Sequence, residues 1–492
     1  MRRLTLVLAA ILVLPITALA QPRDAVVIGM RLEPSPGLDP TAGAAAAISE
    51  VTHYNIYEGL TKLDQTGAVF PMLARSWAIS EDGRTYRFDL VPGVRYHDGA
   101  EFSSANVKFS FERAVVESSV NKDKLMFQGV ESIETPDPGT AIVRLKAPNA
   151  LFLYKLAQSP SALMSPASAA GNNTNPVGTG PYRFVRWTKG DSIELEKFAG
   201  HRNAGSLRIN RVKFRVIADD TAQAAALLSG DLDYMPTLGA PELFAQFERN
   251  ANFVAVRGNT EGETILSMNH KQRALSDVRV RRAIMHAINR ADVIAGAQGG
   301  YATPIGSHFA PHHPAYVDLT GQSGFDPAKA RALLREAGFP TLELSLKLPP
   351  PTYARRSGEI IAAMLADVGV QAKIENVEFP VWLDTVFSKK QYDLSIISHV
   401  EGMDLSIYAN PNYYFQYDSP EYREILANFE RATTVAEQTH FLQQAQRRLA
   451  DDAVNGFLFQ LPKLSVARKG LKGFWLHWPS FINEVATMSW EG

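Results

Sequence analysis

The stretch from Leu342 to Ile397 constrains the fold more than any other part of this chain. Leu342 to Leu348 reads as a strand. A helix follows, with Ile360, Ile361, Met364, Leu365 and Val368 at helical spacing, and it stops at Gly369. Val370 to Val377 is a second strand, Val381 to Phe387 a second helix, and Leu394 to Ile397 a third strand. Strands that alternate with helices in this way predict an α/β layer with parallel strands, because the crossover helix returns the chain to the same sheet edge.

The flanking segments extend this pattern. Upstream, the spacing predicts a helical region from Asp277, with Val280, Ile284, Ala287 and Ile288 on one face and Arg279, Arg281, Arg282 and Arg290 on the other. Asp326-Pro327 caps and opens another helix, which Gly338 closes. Two helices near Glu421 to Arg431 and Glu437 to Asp451 precede a C-terminal segment of short strands. Nearer the N-terminus, Ala25 to Met30, Thr85 to Leu90 and Ala141 to Leu145 read as strands, and Ile48 to Leu60 as a helix ending near Gly59. Ser103 or Ser104 caps a helix running through Val115. Tyr182 to Trp187 and Ser192 to Phe198 form a predicted pair around Lys189-Gly190-Asp191, and Thr221 starts a helix that stops at Gly230. The loop from Asn172 to Gly180 is a predicted crossover between domains.

The first residues say where the chain works. Arg2 and Arg3 precede an apolar run from Leu4 to Ala20, which closes with Ala18-Leu19-Ala20. A basic start, an apolar core and small residues at −3 and −1 are the layout of a cleavable secretory signal, with a membrane anchor as the competing reading. There is no cysteine, so disulfides, thiol catalysis and attachment of lipid to a cysteine are excluded. Fifty basic residues against fifty-one acidic ones, without a basic cluster, argue against a nucleic-acid surface. The remaining length suffices for roughly two or three domains.

Six short motifs occur in order: Tyr57-Glu58-Gly59-Leu60, Leu73-Ala74-Arg75-Ser76-Trp77, Tyr86-Arg87-Phe88-Asp89-Leu90, Val94-Arg95-Tyr96-His97-Asp98-Gly99, Gly178-Thr179-Gly180-Pro181-Tyr182 and Asp277 to Ile284. Together they resemble the family 5 extracellular solute-binding proteins, the dipeptide- and oligopeptide-binding receptors of ABC importers. The resemblance runs from about Ala25 to the C-terminus. It implies an α/β, two-lobed periplasmic-binding-protein fold of cluster C type, with mixed sheets and an extra small domain. In that arrangement, after a signal peptide at 1–20, lobe I comprises 21–60, 176–259 and 469–492, the additional domain 61–175, and lobe II 260–468. Ligand sits between lobes that close by hinge motion. Taken alone, most of the motifs read structurally: Tyr57 to Leu60 as a helix end, Gly178 to Tyr182 as a turn into a strand. His97-Asp98-Gly99 reads as a turn whose adjacent side chains point apart, not as a catalytic dyad.

Three segments carry candidate ligand contacts. Arg31 and Glu33 flank Leu32 where the opening strand ends, and an exposed salt-bridged pair is the alternative. Ser398 to Asp404 follows the third parallel strand, at the edge where α/β layers bind ligands. Its His399, Glu401 and Asp404 suit a cationic group, with a solvated acidic loop as the alternative. The resemblance implies that an acidic residue here pairs with a ligand ammonium, Glu401 first and Asp404 next. Tyr408 to Tyr417 and Trp382 are aromatic-wall candidates or packing beneath the cleft. Where dipeptide-binding relatives place a carboxylate-binding arginine, this chain reads Lys347-Leu348-Pro349-Pro350-Pro351, with Arg355 and Arg356 at the helix start. The acidic loop reads Asp404-Leu405-Ser406 in place of the family's Asp-Pro pair. An amine-bearing solute follows as the expected ligand: a modified peptide, amino-acid conjugate or opine-like compound.

No nucleophile elbow, zinc helix or P-loop occurs, so no catalytic residue, resident metal or cofactor is expected. His312-His313 reads as a surface loop. The expected partners are a small solute and an inner-membrane ABC permease, the expected state a periplasmic monomer without a lipid anchor. A secreted hydrolase of peptides or esters, a signalling or chaperone-like receptor, and a metal or haem ligand remain as alternatives.

Overall fold

The computed structural model describes residues 23–43 and 45–491, so the signal reading lies outside the described residues. Among them, no helix is long and apolar enough to cross a membrane.

One sheet of eleven strands runs through the protein. At one end Val370–Asn376, Leu342–Leu348 and Leu394–His399 lie side by side and parallel, as the alternating pattern requires. At the other end Ala25–Met30 pairs parallel with Arg211–Val216, which continues antiparallel to Ser192–Lys197 and then Tyr182–Thr188. Two long antiparallel strands, Phe253–Met268 and Asn455–Arg468, connect the ends. The second is a long strand where short ones were expected. Helix caps follow local chemistry. The Asp326 carboxylate accepts from the Lys329 N–H at 2.9 Å, Pro327 takes the first helical position, and the helix spans Pro327–Glu336.

The two ends have separate cores. Ile28, Val212, Phe214 and Leu195 pack together at one, with Leu227, Phe244 and Val466 in an adjoining cluster. At the other, Leu346, Ile396, Ile361 and Ile284 form one cluster, and Trp382, Tyr408, Tyr414 and Phe457 another. A third body, with its own four-stranded sheet from Ala74–Ile79 to Thr140–Leu145, packs around Phe88, Phe111 and Phe152.

Three of the motifs meet at one joint. The helix expected over Ile48 to Leu60 is only Ala46–Thr52, and the chain beyond it is a tight loop. Gly59 is therefore not a helix stop; a Cβ there meets the Leu156 carbonyl at 2.5 Å. Gly178 and Gly180 lie against the same loop, where a Cβ approaches the carbonyls of Ile56 and Asn55 to 2.0 and 2.3 Å. The Gly180 N–H bonds to the Ile56 carbonyl, and His97 Nε2 contacts the Gly180 carbonyl at 3.0 Å. Asp98 points elsewhere and accepts from the Ala100 N–H. Glu58, buried at this joint, accepts from both Arg202 Nη atoms at 2.6 and 2.8 Å and from Thr179 Oγ1 at 2.9 Å.

Of the four arginines set opposite the apolar face of the region from Asp277, Arg279 and Arg282 are exposed, whereas Arg281 and Arg290 are not. Arg281 is buried and donates to the carbonyls of Leu275, Ala453 and Asp452; Arg290, also buried, reaches the carbonyl of Phe457. Long side chains with several donors satisfy carbonyls that helices and strands leave unpaired.

Candidate functional site

Between the two ends of the sheet lies a cleft of about 950 Å³. One wall carries Arg31, Glu50, Asp220 and Glu242; the facing wall carries Pro350, Pro351, Tyr353, Arg356 and Val400. The floor forms where the long strands cross between the cores. Phe253 to Asn259 pair with Arg468 to Pro462, and Glu263 onward pairs with Gln460 and beyond. Thr260, Glu261 and Gly262 stand opposite Leu461 alone. This bulge breaks the ladder and turns Thr260, Glu261 and Gly262 into the cleft.

The cleft is rich in carboxylates. Arg31 lies 3.4 Å from Asp220, and Arg356 lies 4.0 Å from Glu242 on the opposite wall. Glu261 contacts His312 Nε2 at 2.8 Å, and that imidazole stacks on His477 with 4.9 Å between ring centres. His312 and His313 are therefore not the surface loop expected of them: the His312 side chain is 3 % exposed, and His313 stacks on Phe309. Glu50 differs from its neighbours. It is half-buried, and among the described residues its carboxylate has neither hydrogen bond nor ion pair. Burial pushes its pKa up to about 7, against the pull of Arg31.

Of the residues expected to touch ligand, Arg31 lines the cleft, beside Leu32. Glu33 does not pair with it; its carboxylate accepts from Trp187 Nε1 at 2.8 Å and the Gly190 N–H at 2.9 Å, outside the cleft lining. Glu401 is exposed next to Val400, which lines the wall. Trp382 is buried beneath the wall and donates its indole N–H to Ser395 Oγ at 2.9 Å, as a buried indole must find an acceptor. Its ring stacks 5.9 Å from that of Phe379, which does line the cleft.

His399, Asp404 and Tyr408 come together behind the wall with two residues the sequence reading missed, Glu263 and His308. His308 lies between two carboxylates, with Nδ1 2.9 Å from Glu263 and Nε2 2.8 Å from Asp404. His399 Nδ1 is 3.5 Å from the other Asp404 oxygen, and Nε2 contacts Tyr414 OH at 3.0 Å. The Tyr408 ring stands edge-on to His308. Burial opposes charge on His308, but the two carboxylates outweigh it and raise its pKa to about 10. Burial lifts Glu263 to about 7. Burial also works against the Asp404 charge, yet the two imidazoles hold it well below the usual carboxylate range.

The missed cleft residues left faint marks in the sequence. Glu50 stands among the apolar residues of a short helix, between Ile48 and Val51, and Glu261-Gly262 interrupts a run of strand-forming residues. Neither mark distinguishes a ligand contact from an exposed acid.

A cleft between two lobes, floored by strands that pass from one to the other, defines a two-lobed solute-binding protein. The matching family model is that of the bacterial extracellular solute-binding proteins, family 5, over residues 68–451, and the chain belongs to that family. It is similar to the glutathione-binding protein GsiB of Pectobacterium atrosepticum, 30 % identical over 464 residues, with 89 % of each chain covered. Two solved structures share the fold. The periplasmic binding protein AgaA of A. tumefaciens R10, in complex with agropinic acid, has a TM-score of 0.77 at 23 % identity and covers 95 % of this chain and 99 % of its own. The periplasmic binding protein DppA of Helicobacter pylori, in complex with the peptide STSA, has a TM-score of 0.78 at 24 % identity, covering 96 % and 99 %.

Proposed function

We propose that this protein is the periplasmic receptor of an ABC importer for a peptide-like solute carrying both an amine and a carboxylate. The observation that carries this reading is the unpaired Glu50 carboxylate, facing a cleft that also presents Arg31 and Arg356. A half-buried carboxylate without a cation suits a ligand ammonium, and a planar guanidinium suits a ligand carboxylate. Arg356 takes the place of the arginine missing from Lys347 to Pro351, one turn into the helix Thr352–Asp367. Glu261 offers a second acidic contact, and Glu401 meets ligand from the rim. Trp382, His399, Asp404 and Tyr408 support the wall from behind, and Glu33 anchors the loop that carries Arg31. The relative named for glutathione, itself a tripeptide with one amine and two carboxylates, supports the same ligand class. An opine-like conjugate carries the same groups.

Ligand contacts both walls at once only when the lobes close, so its differential affinity drives closure, and a permease in the inner membrane reads the closed form. The solute leaves unchanged; no turnover is required. We place the change of lobe at Thr260 to Gly262 and Leu461 to Pro462, with 61–175 as an additional domain and 1–20 as a cleaved signal. The separate apolar clusters support this division.

Calorimetry with glutathione, dipeptides and an opine, beside mass spectrometry of small molecules co-purified with the native protein, tests the reading. Binding of a compound with both charged groups supports it. Binding only of neutral solutes, or release of a product from a bound compound, overturns it.

A further inference from the structure

We propose that Glu263, His308 and Asp404 form a binding site for one divalent transition-metal ion, Zn2+ being the best match, behind the cleft wall. One imidazole nitrogen and one oxygen from each carboxylate lie within 4.8 Å of one another. They come from three separate segments: the long strand Phe253–Met268, the loop after Thr303–Pro304, and the loop after Leu394–His399.

The contacts are short but are not hydrogen bonds. Among the described residues, Glu263 Oε1, His308 Nδ1 and Asp404 Oδ1 are buried and have no hydrogen-bonded partner, although 2.9 and 2.8 Å separate ring nitrogens from carboxylate oxygens. The oxygens crowd the imidazole away from its N–H directions. The Tyr408 hydroxyl, fully buried against His308, is also without a partner among the described residues. Two carboxylates packed this way in a dry site, at 2 and 17 % side-chain exposure, need a compensating positive charge, and a metal ion competes for that place with a proton on His308.

A dication with two carboxylates and a neutral imidazole sums to zero charge. One nitrogen and two oxygen donors form a set that zinc accepts, at bond lengths of about 2.0–2.2 Å. Such bonds place neighbouring donors roughly 3–3.5 Å apart. Binding therefore draws the donors inward from a spread of up to 4.8 Å. His399 completes the arrangement from outside. It contacts the second oxygen of Asp404 and is itself held by Tyr414, as groups that orient a metal ligand do. Asp404, the most exposed of the three ligands, is the point of entry. A bound ion ties the loop bearing Val400 to the long strand, so its role is to stiffen one cleft wall. This proposal does not depend on the nature of the transported solute.

The test uses untagged mature protein stripped with a chelator, then dialysed against Zn2+ and separately against Mn2+, with elemental analysis and thermal unfolding. One zinc per chain and a raised unfolding midpoint are expected, together with a cobalt-substituted form showing visible d–d absorption. Asp404→Asn, at the more exposed edge of the site, abolishes uptake; Glu263→Gln does the same if it folds. His399→Ala weakens zinc binding by about tenfold or more. His440→Gln, on an exposed helix face, leaves uptake unchanged. Substoichiometric zinc in the parent protein, or equal uptake by Asp404→Asn, overturns the proposal and leaves a proton as the occupant of the triad.

Discussion

Arg356 Nη1 lies 4.0 Å from Glu242 Oε2, and the two side chains belong to opposite walls of the cleft. Both are exposed to solvent, so the pair itself contributes little, on the order of 0–1 kcal/mol. The pair spans the two walls that the proposed closure brings together. Glu242→Ala, which removes only the pairing, should weaken solute binding by less than about fivefold, and the loss should vanish at high salt. Arg356→Ala also removes the proposed carboxylate contact, and the loss should be larger and persist in salt. Calorimetry at low and high ionic strength separates the two.

In the proposed function, amine recognition turns on Glu50. Glu50→Gln should weaken binding of an amine-bearing solute by about 10- to 100-fold, the size expected for a hydrogen bond to a charged group. The parent protein should bind such a solute more tightly as pH rises through about 7, because the carboxylate then acquires its charge. The glutamine variant should lose that pH dependence. Titrations over roughly one pH unit either side of that value provide the check.

Lys463 is buried where the strands cross, and it donates to Ser465 Oγ and the Trp475 carbonyl at 2.7 Å each and to Tyr234 OH at 3.2 Å. Burial lowers its pKa from the ordinary 10.5 to about 7. Between those values the unfolded chain binds the extra proton and the folded one does not. Stability therefore rises with pH across that window, and below it the buried charge is carried at full cost. Lys463→Met should flatten this rise in the unfolding midpoint. An unchanged slope would show that Lys463 keeps its proton in the fold.

Glu58 behaves in the opposite sense. Burial raises its pKa, but the imidazole of His201 at 3.8 Å and the hydrogen-bonded guanidinium of Arg202 outweigh that and hold it at about 2. Its contribution is present above the unfolded value near 4.5 and is lost as pH falls towards 2. Arg202→Ala leaves the carboxylate buried and unpaired, and should cost about 3–5 kcal/mol in urea unfolding at neutral pH. Thr179→Val should cost much less, since the guanidinium remains.

How much of this was legible depended on range. The parallel strands from Leu342 to His399 were read correctly because their alternation with helices is local. The helix stop assigned to Gly59 was wrong for the opposite reason: the group that excludes a side chain there is the Leu156 carbonyl, distant in sequence. Nor did the sequence separate Arg281 and Arg290, which are buried and collect carbonyls, from the exposed Arg279 and Arg282.

The same division holds at the cleft. Arg31, placed after the opening strand, lines the cleft, whereas Glu33, two residues on, bonds to Trp187. By itself the sequence determined the secondary-structure grammar, the thiol-free composition and the family, because periodicity, caps and short motifs are properties of neighbouring residues. Only the tertiary structure decided which acids face the cleft and which lie in the triad behind it. Glu50, Glu261, Glu263 and Asp404 are chemically alike along the chain, and they differ in what distant segments bring against them.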